Sequence, residues 1–194
     1  GNKVDHAGDG QVDGRASQDQ PGIAGDGHQR DRHRDLGDDQ QAKGVQPEGI
    51  TVLVLDRPRH ASIIESVRST GAAVRLITDG DVAGVIHCAD PDNTGVDMYL
   101  GTGGAPEGVL AAVALRCIGG QMQCRLILDS DEKRERAAKM GVNDPKMIYG
   151  IEDMARGDCL FAATGVTTGS LLSGVKFRKD GVIETETVVM RSVT

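Results

Sequence analysis

The chain has 194 residues, a formal net charge of −7 and a composition that is 38% hydrophobic and 2% aromatic, with no tryptophan. The acidic balance, without a basic stripe interleaved with aromatics, argues against nucleic acid as a partner. No apolar run approaches the roughly 18 residues of a membrane span, and the N-terminus has no apolar signal-peptide core, so a soluble, cytoplasmic protein is expected.

With so few aromatics, the core must come from Val, Ile, Leu, Ala and Met, which suits a parallel sheet covered by helices. The four cysteines, Cys88, Cys117, Cys124 and Cys159, form no CxxC pair and no zinc-ligand spacing. They are read as reduced, structural thiols.

Residues 1–41 hold only Val4, Ala7, Val12, Ala16, Ile23, Ala24 and Leu36 as apolar positions. Burying so little cannot offset the entropy of ordering the segment, so 1–41 is read as a disordered or non-native tail, with a shifted reading frame as one possible origin. Within it, His28, Arg30, Arg32, His33 and Arg34 carry groups that could bind metal or phosphate. No rigid element flanks them, and they are read as solvated. A globular domain is expected over 42–194.

The run from Ile50 to Leu55 reads as a buried strand, and Ile63, Ile64 and Val67 fall at helical spacing over 60–69, with Gly71 where a C-cap belongs. A second strand is predicted at 73–77, a helix at 82–88 and a third strand at 96–100, which makes a right-handed βαβ arrangement. A glycine-rich loop at 101–108 leads to a helix at 109–118. Further strands are predicted at 123–128, at 159–164 as a buried strand, and at 181–190 with alternating pattern, and further helices at 132–140 and 151–156. The total is five or six strands and four helices, in an α/β fold with a mostly parallel sheet.

In parallel sheets, ligands bind outside the carboxyl ends of the strands. Three loops lie there. Arg57 and Arg59, flanking Pro58, offer planar charged forks to a phosphate, or are plain solvated residues. His60 reads as a helix N-terminal residue. Asp79 and Asp81, around Gly80, could meet sugar hydroxyls or a cation, and Asp81 could cap the next helix. Gly101, Gly103 and Gly104 would let backbone N–H groups approach a phosphate at a helix N-terminus, where Pro106 fits the first turn. Glu107 either complements the helix dipole or binds a metal. The loop has neither the Lys-Ser/Thr ending of a P-loop nor the third glycine of a dinucleotide-binding turn.

In order and spacing, Asp56-Arg57-Pro58-Arg59-His60, Asp79-Gly80-Asp81-Val82-Ala83, Gly103-Gly104-Ala105-Pro106-Glu107-Gly108-Val109, Gly119-Gly120-Gln121-Met122-Gln123, Ala163-Thr164-Gly165-Val166-Thr167 and Val189-Met190-Arg191-Ser192 resemble the class II fructose-1,6-bisphosphatases. The resemblance covers about residues 42–194 and corresponds to the C-terminal part of that family. It implies a layered sugar-phosphatase fold of the lithium-sensitive type. It also implies hydrolysis of the 1-phosphate of fructose 1,6-bisphosphate with Mn²⁺ or Mg²⁺, with sedoheptulose 1,7-bisphosphate as a second candidate substrate. By the same resemblance, Arg57, Pro58, Arg59, Asp79, Gly80, Asp81 and Gly104 bind substrate, and Glu107 is a metal ligand.

In the family, further metal carboxylates come from an N-terminal half with an Asp-Gly-Thr motif. Asp13-Gly14-Arg15 does not match it. Two readings follow: an active phosphatase, or a fragment lacking most metal ligands that at most binds sugar phosphate. A homo-oligomer is compatible with either.

Overall fold

The computed structural model describes residues 22–24 and 44–192 of the chain. The 28–35 run and most of the expected 1–41 tail lie outside the described residues. The exception is strand β1 (Gly22–Ala24), which pairs antiparallel with two later strands of the domain.

The centre of the molecule is β2 (Thr51–Leu55), in which Val52, Leu53, Val54 and Leu55 are all buried. Such a continuous apolar run marks a strand covered on both faces. The chain leaves β2 through a 3₁₀ turn at Pro58–His60 into α1 (Ala61–Ser69). It turns back at Gly71, whose φ of 92° is open to glycine at little cost. β3 (Ala73–Ile77) then pairs in parallel with β2, Thr51 opposite Ala73 through Leu55 opposite Ile77. As an edge strand, β3 is less protected, and its Leu76 is 41% exposed.

From β3 the chain passes through α2 (Asp81–His87) and the single turn α3 (Pro91–Thr94) to β4 (Met98–Tyr99), which pairs in parallel with the other side of β2. The order is β3-β2-β4. On one face, Ile63 and Val67 of α1 pack with Ile50, Val52 and Val54. On the other, α2 sits on Leu53. A Cβ at Gly84 would lie 2.9 Å from Leu53 Cδ2 and 3.2 Å from both Ile77 and Tyr99 carbons, so this helix approaches the sheet as closely as only glycine permits.

β5 (Thr102–Gly104) follows β4 and runs straight into α4 (Ala105–Ile118). Ala111, Ala112, Ala114 and Leu115 of α4 are buried, and Gly119 closes the helix at φ 78°. Next come β6 (Gln123–Leu126), α5 (Asp131–Lys139), β7 (Tyr149–Gly150) and the short α6 (Ile151–Met154). The Ser130 side chain caps α5 by accepting from Lys133 N–H at 3.2 Å. The last strands are β8 (Leu160–Thr164), β9 (Lys176–Phe177), β10 (Ile183–Glu184) and β11 (Thr187–Arg191). Buried Ser192 fastens the end of β11 to β8, its Oγ accepting from Cys159 N–H at 2.8 Å.

An α/β architecture with a parallel sheet and helices is therefore present. The expectation of a mostly parallel sheet holds only for β3-β2-β4. The pairings β5-β1, β1-β6, β6-β7, β8-β11 and β9-β10 are antiparallel, and none of them follows the strand–helix–strand crossover that makes β3-β2-β4 parallel. The strand expected at 159–164 as fully buried alternates instead, with Phe161 buried and Leu160 63% exposed, since its two-stranded ribbon is covered on one face. The strand expected at 181–190 is two strands, β10 and β11. No described helix is long and apolar enough to cross a membrane.

Because Leu53 is fully enclosed, Gly84→Val has no room to relax. It should lower unfolding stability by about 1–3 kcal/mol, read as a reduced urea midpoint; an unchanged midpoint would show that α2 lifts freely from the sheet.

Candidate functional site

Three chain segments leave the carboxyl edge of the β3-β2-β4 sheet, and the alignment of those strands brings them side by side. The chain leaves β2 through Asp56, Arg57, Pro58, Arg59 and His60. It leaves β3 through Asp79, Gly80 and Asp81, and β4 through Leu100 to Gly104. The Asp56 N–H donates to the Ile77 carbonyl at 2.7 Å, which fixes the first of these exits against the second.

Between the first and third segments the tie is His60. Its ring is completely buried. Nδ1 lies 2.7 Å from the Leu55 carbonyl oxygen, and Nε2 lies 2.9 Å from the Thr102 backbone nitrogen and 3.0 Å from Thr102 Oγ1. Arg59 reaches the same strand, its Nε donating to Thr102 O at 3.1 Å and to Thr102 Oγ1 at 3.2 Å. Arg57 behaves differently. Its Nη1 donates to the Asp56 carbonyl at 2.9 Å, so its fork folds back along its own loop. Pro58 opens the 3₁₀ turn that sets both arginines.

Gly80 stands at the N-cap of α2 with φ 80° and ψ 48°, a left-handed conformation that glycine adopts readily. Asp81 is the first residue of the helix, and no side-chain cap bond forms, so its reading as a cap is not realised. Its carboxylate faces the glycine strand instead: a Cβ at Gly103 would lie 3.4 Å from Asp81 Oδ2. A Cβ at Gly104 would collide with Glu107 Oε2, so the glycine leaves space for the Glu107 carboxylate to fold back over the first turn of α4. Glu107 itself is exposed.

Asp81, Gly103, Gly104 and Glu107 line one end of a cleft of about 920 Å³. Its wall runs along α2, β4 and α4 to Gly119, Gly120 and Gln121 at the other end. Arg57, Pro58, Arg59, Asp79 and Gly80 lie outside this lining, on the rim of the sheet. Tyr99 lines the cleft too. Burial pushes its hydroxyl well above the ordinary tyrosine value, the Asp81 carboxylate pushes it further, and the Arg59 guanidinium opposes both. Tyr99 therefore remains a neutral phenol between an acidic and a basic member of the site.

Sequence reasoning missed three parts of this arrangement. The 101–108 stretch is not a loop leading to a helix at Val109: Thr102–Gly104 is a strand, and α4 begins at Ala105. His60 is a buried clamp rather than merely a residue at the start of a helix. Tyr99 was passed over, although its place at the carboxyl end of a parallel strand was a usable signal.

A divalent cation needs about six oxygen ligands. Among the described residues, no three His, Cys, Asp or Glu side chains form a group able to hold a metal ion. The described residues on their own thus do not fit a metal centre, and Glu107 is the one member of this cleft assigned to that role by resemblance.

The sequence family described as "Bacterial fructose-1,6-bisphosphatase, glpX-encoded" matches residues 30–194. The chain belongs to that family. Relatives named "D-fructose 1,6-bisphosphatase class 2/sedoheptulose 1,7-bisphosphatase" include one from Synechocystis sp., 44% identical over 158 residues, covering 75% of this chain and 45% of the relative. Another, from Microcystis aeruginosa, is 42% identical over 165 residues, covering 75% and 48%. The chain spans about half the length of the curated relatives it matches. The bisphosphatase family match begins at residue 30, ahead of the domain boundary expected at residue 42. In this bisphosphatase-family chain, the segments 56–60, 79–81 and 100–104 all leave one sheet edge.

All four cysteines are thiols. Burial pushes Cys124 up to about 11, and the Asp153 carboxylate adds to the shift. At pH 8, about one molecule in a thousand then carries the reactive thiolate, so alkylation of Cys124 should be slow and should rise about tenfold per pH unit until it levels off near pH 11. The raised value also means that the thiol's contribution to stability is whole below about pH 9 and is lost as the pH rises through about 11. Rapid alkylation of Cys124 at pH 8, followed by mass spectrometry of its peptide, would contradict this.

Proposed function

We propose that the chain carries the substrate-holding part of an enzyme that hydrolyses the 1-phosphate of fructose 1,6-bisphosphate, giving fructose 6-phosphate and phosphate. The observation that supports this reading above others is the meeting of the Arg59 loop, the Asp81 turn and the glycine strand at one end of a parallel sheet. The names of the relatives supply the substrate class, with sedoheptulose 1,7-bisphosphate as the second candidate.

In this reading Arg59 provides a permanently charged fork for a phosphate, and Arg57, with Nη1 turned to the Asp56 carbonyl, offers its remaining N–H groups. Asp79 and Asp81 accept hydrogen bonds from sugar hydroxyls, with Gly80 setting the turn between them. The backbone at Gly104 stands at the N-terminus of the fourteen-residue α4, where N–H groups and the helix dipole favour a phosphate oxygen. Tyr99, neutral and half-buried, lends a hydroxyl to the wall of the cleft. Orientation of the substrate is what these residues offer toward catalysis.

The wider reading comprises a layered fold of the lithium-sensitive phosphatase type, a domain over 42–194 to which Gly22–Ala24 of the 1–41 segment adds a strand, a homo-oligomeric state, a cytoplasmic setting and no nucleic-acid partner. The cation is Mn²⁺ or Mg²⁺, with Glu107 as one ligand and the others supplied from outside the described residues.

A second reading is favoured by the missing ligand group among the described residues: a chain that binds the sugar bisphosphate without hydrolysing it. Calorimetric titration with fructose 1,6-bisphosphate and a phosphate-release assay with and without Mn²⁺ separate the two. Release that needs Mn²⁺ and falls about a hundredfold or more in Glu107→Ala supports the hydrolase. Binding without release, weakened about tenfold or more in Arg59→Ala, supports the second reading. Neither binding nor release contradicts both.

A further inference from the structure

We propose that His60 is a positioning residue for sugar-bisphosphate binding, acting through Thr102 to fix the glycine strand and the Arg59 fork in one arrangement. This rests on the reading that the Arg59 loop and Gly104 hold the substrate.

The hydrogen-bond geometry defines the state of the ring. The Leu55 carbonyl oxygen can only accept, so Nδ1, 2.7 Å away, must carry a proton. The Thr102 backbone N–H can only donate, so Nε2, 2.9 Å away, must offer its lone pair. Both demands are met by the tautomer protonated on Nδ1. The Thr102 carbonyl oxygen, 3.1 Å from Nε2, is then satisfied by Arg59 Nε at the same distance.

One ring thus joins the last residue of β2 to the first residue of β5. The next two positions along β5 are Gly103 and Gly104, which carry no side chains to fix their path. Gly103 lies against the Asp81 carboxylate and Gly104 against Glu107. Their backbones are paired with β1, and a side-chain anchor is added one residue earlier, at Thr102, by a histidine with no exposure at all. Arg59 leans on the same Thr102, so any shift of that residue moves the guanidinium and the glycine backbone together.

Two substitutions separate this role from simple filling of space. The amide of His60→Gln reaches the Nε2 position and can accept from Thr102 N–H. The shorter His60→Asn keeps a donor for the Leu55 carbonyl but withdraws the acceptor from Thr102. With fructose 1,6-bisphosphate as the calorimetric probe, His60→Asn should weaken binding about tenfold or more, and His60→Gln should recover most of the loss, at equal melting temperatures. Wild-type affinity in His60→Asn, or a Gln variant as weak as Asn, overturns the positioning role. Absence of binding in the wild type overturns the substrate reading, and the positioning role falls with it. If His60→Asn does not fold, long-range ¹H–¹⁵N NMR of the wild-type ring decides: a proton on Nδ1, with Nε2 and the Thr102 amide both shifting on addition of the sugar bisphosphate, supports the proposal. A proton on Nε2, or no shift at these atoms, overturns it.

Discussion

The parallel registration of β2 with β3 on one side and β4 on the other is the constraint on which the rest of the site depends. Parallel strands joined by helices must all emit their following loops at one edge, and here that edge receives two arginines, three aspartates and a glycine strand. The registration is enforced from both faces. Ile63 and Val67 press on Val52 and Val54, while Gly84 lets α2 settle against Leu53 at a distance no larger residue allows. A slip of β2 by one residue would turn Leu53 away from α2 and Val52 and Val54 away from α1, and would move Asp56 away from the Ile77 carbonyl. The chemistry of the site and the packing of the core are therefore set by the same strand.

The site joins groups of opposite demand. Arg59 is tied down by Thr102, Asp81 faces the glycine strand, and Tyr99 between them is kept neutral by burial and by Asp81. Small residues are placed where polar ones must approach: Gly103 next to Asp81, and Gly104 under Glu107. Such an arrangement is suited to holding a polyanionic sugar, with fixed cations for phosphate and carboxylates for hydroxyls. Among the described residues, no three His, Cys, Asp or Glu side chains stand together as a metal site.

Much of this was legible in the sequence, and the exceptions have physical causes. The apolar run at 50–55 and the helical spacing of Ile63 and Val67 gave β2 and α1, and the carboxyl-edge rule placed Arg59, Asp81 and Gly104 near one another before any coordinates. What periodicity does not carry is the direction of a partner strand, which is why the strands predicted at 123–128, 159–164 and 181–190 were counted in a mostly parallel sheet. The glycine strand was missed for a related reason: Thr102, Gly103 and Gly104 have no apolar alternation, and their extended form comes from pairing rather than propensity. His60 escaped because its partner Thr102 lies 42 residues away, and no local pattern announces a buried polar contact of that range.

The central claim, that one sugar bisphosphate is held where the three exits of the parallel sheet meet, is tested most directly by amide NMR of the ¹⁵N-labelled chain titrated with fructose 1,6-bisphosphate. The account predicts saturable shifts, with a common dissociation constant, at Arg59, Asp81, Thr102, Gly103 and Gly104, and none at the distant Lys176–Phe177 and Ile183–Glu184 ribbon. Shifts confined to that ribbon, or absent from any of the three exits at saturation, would contradict it.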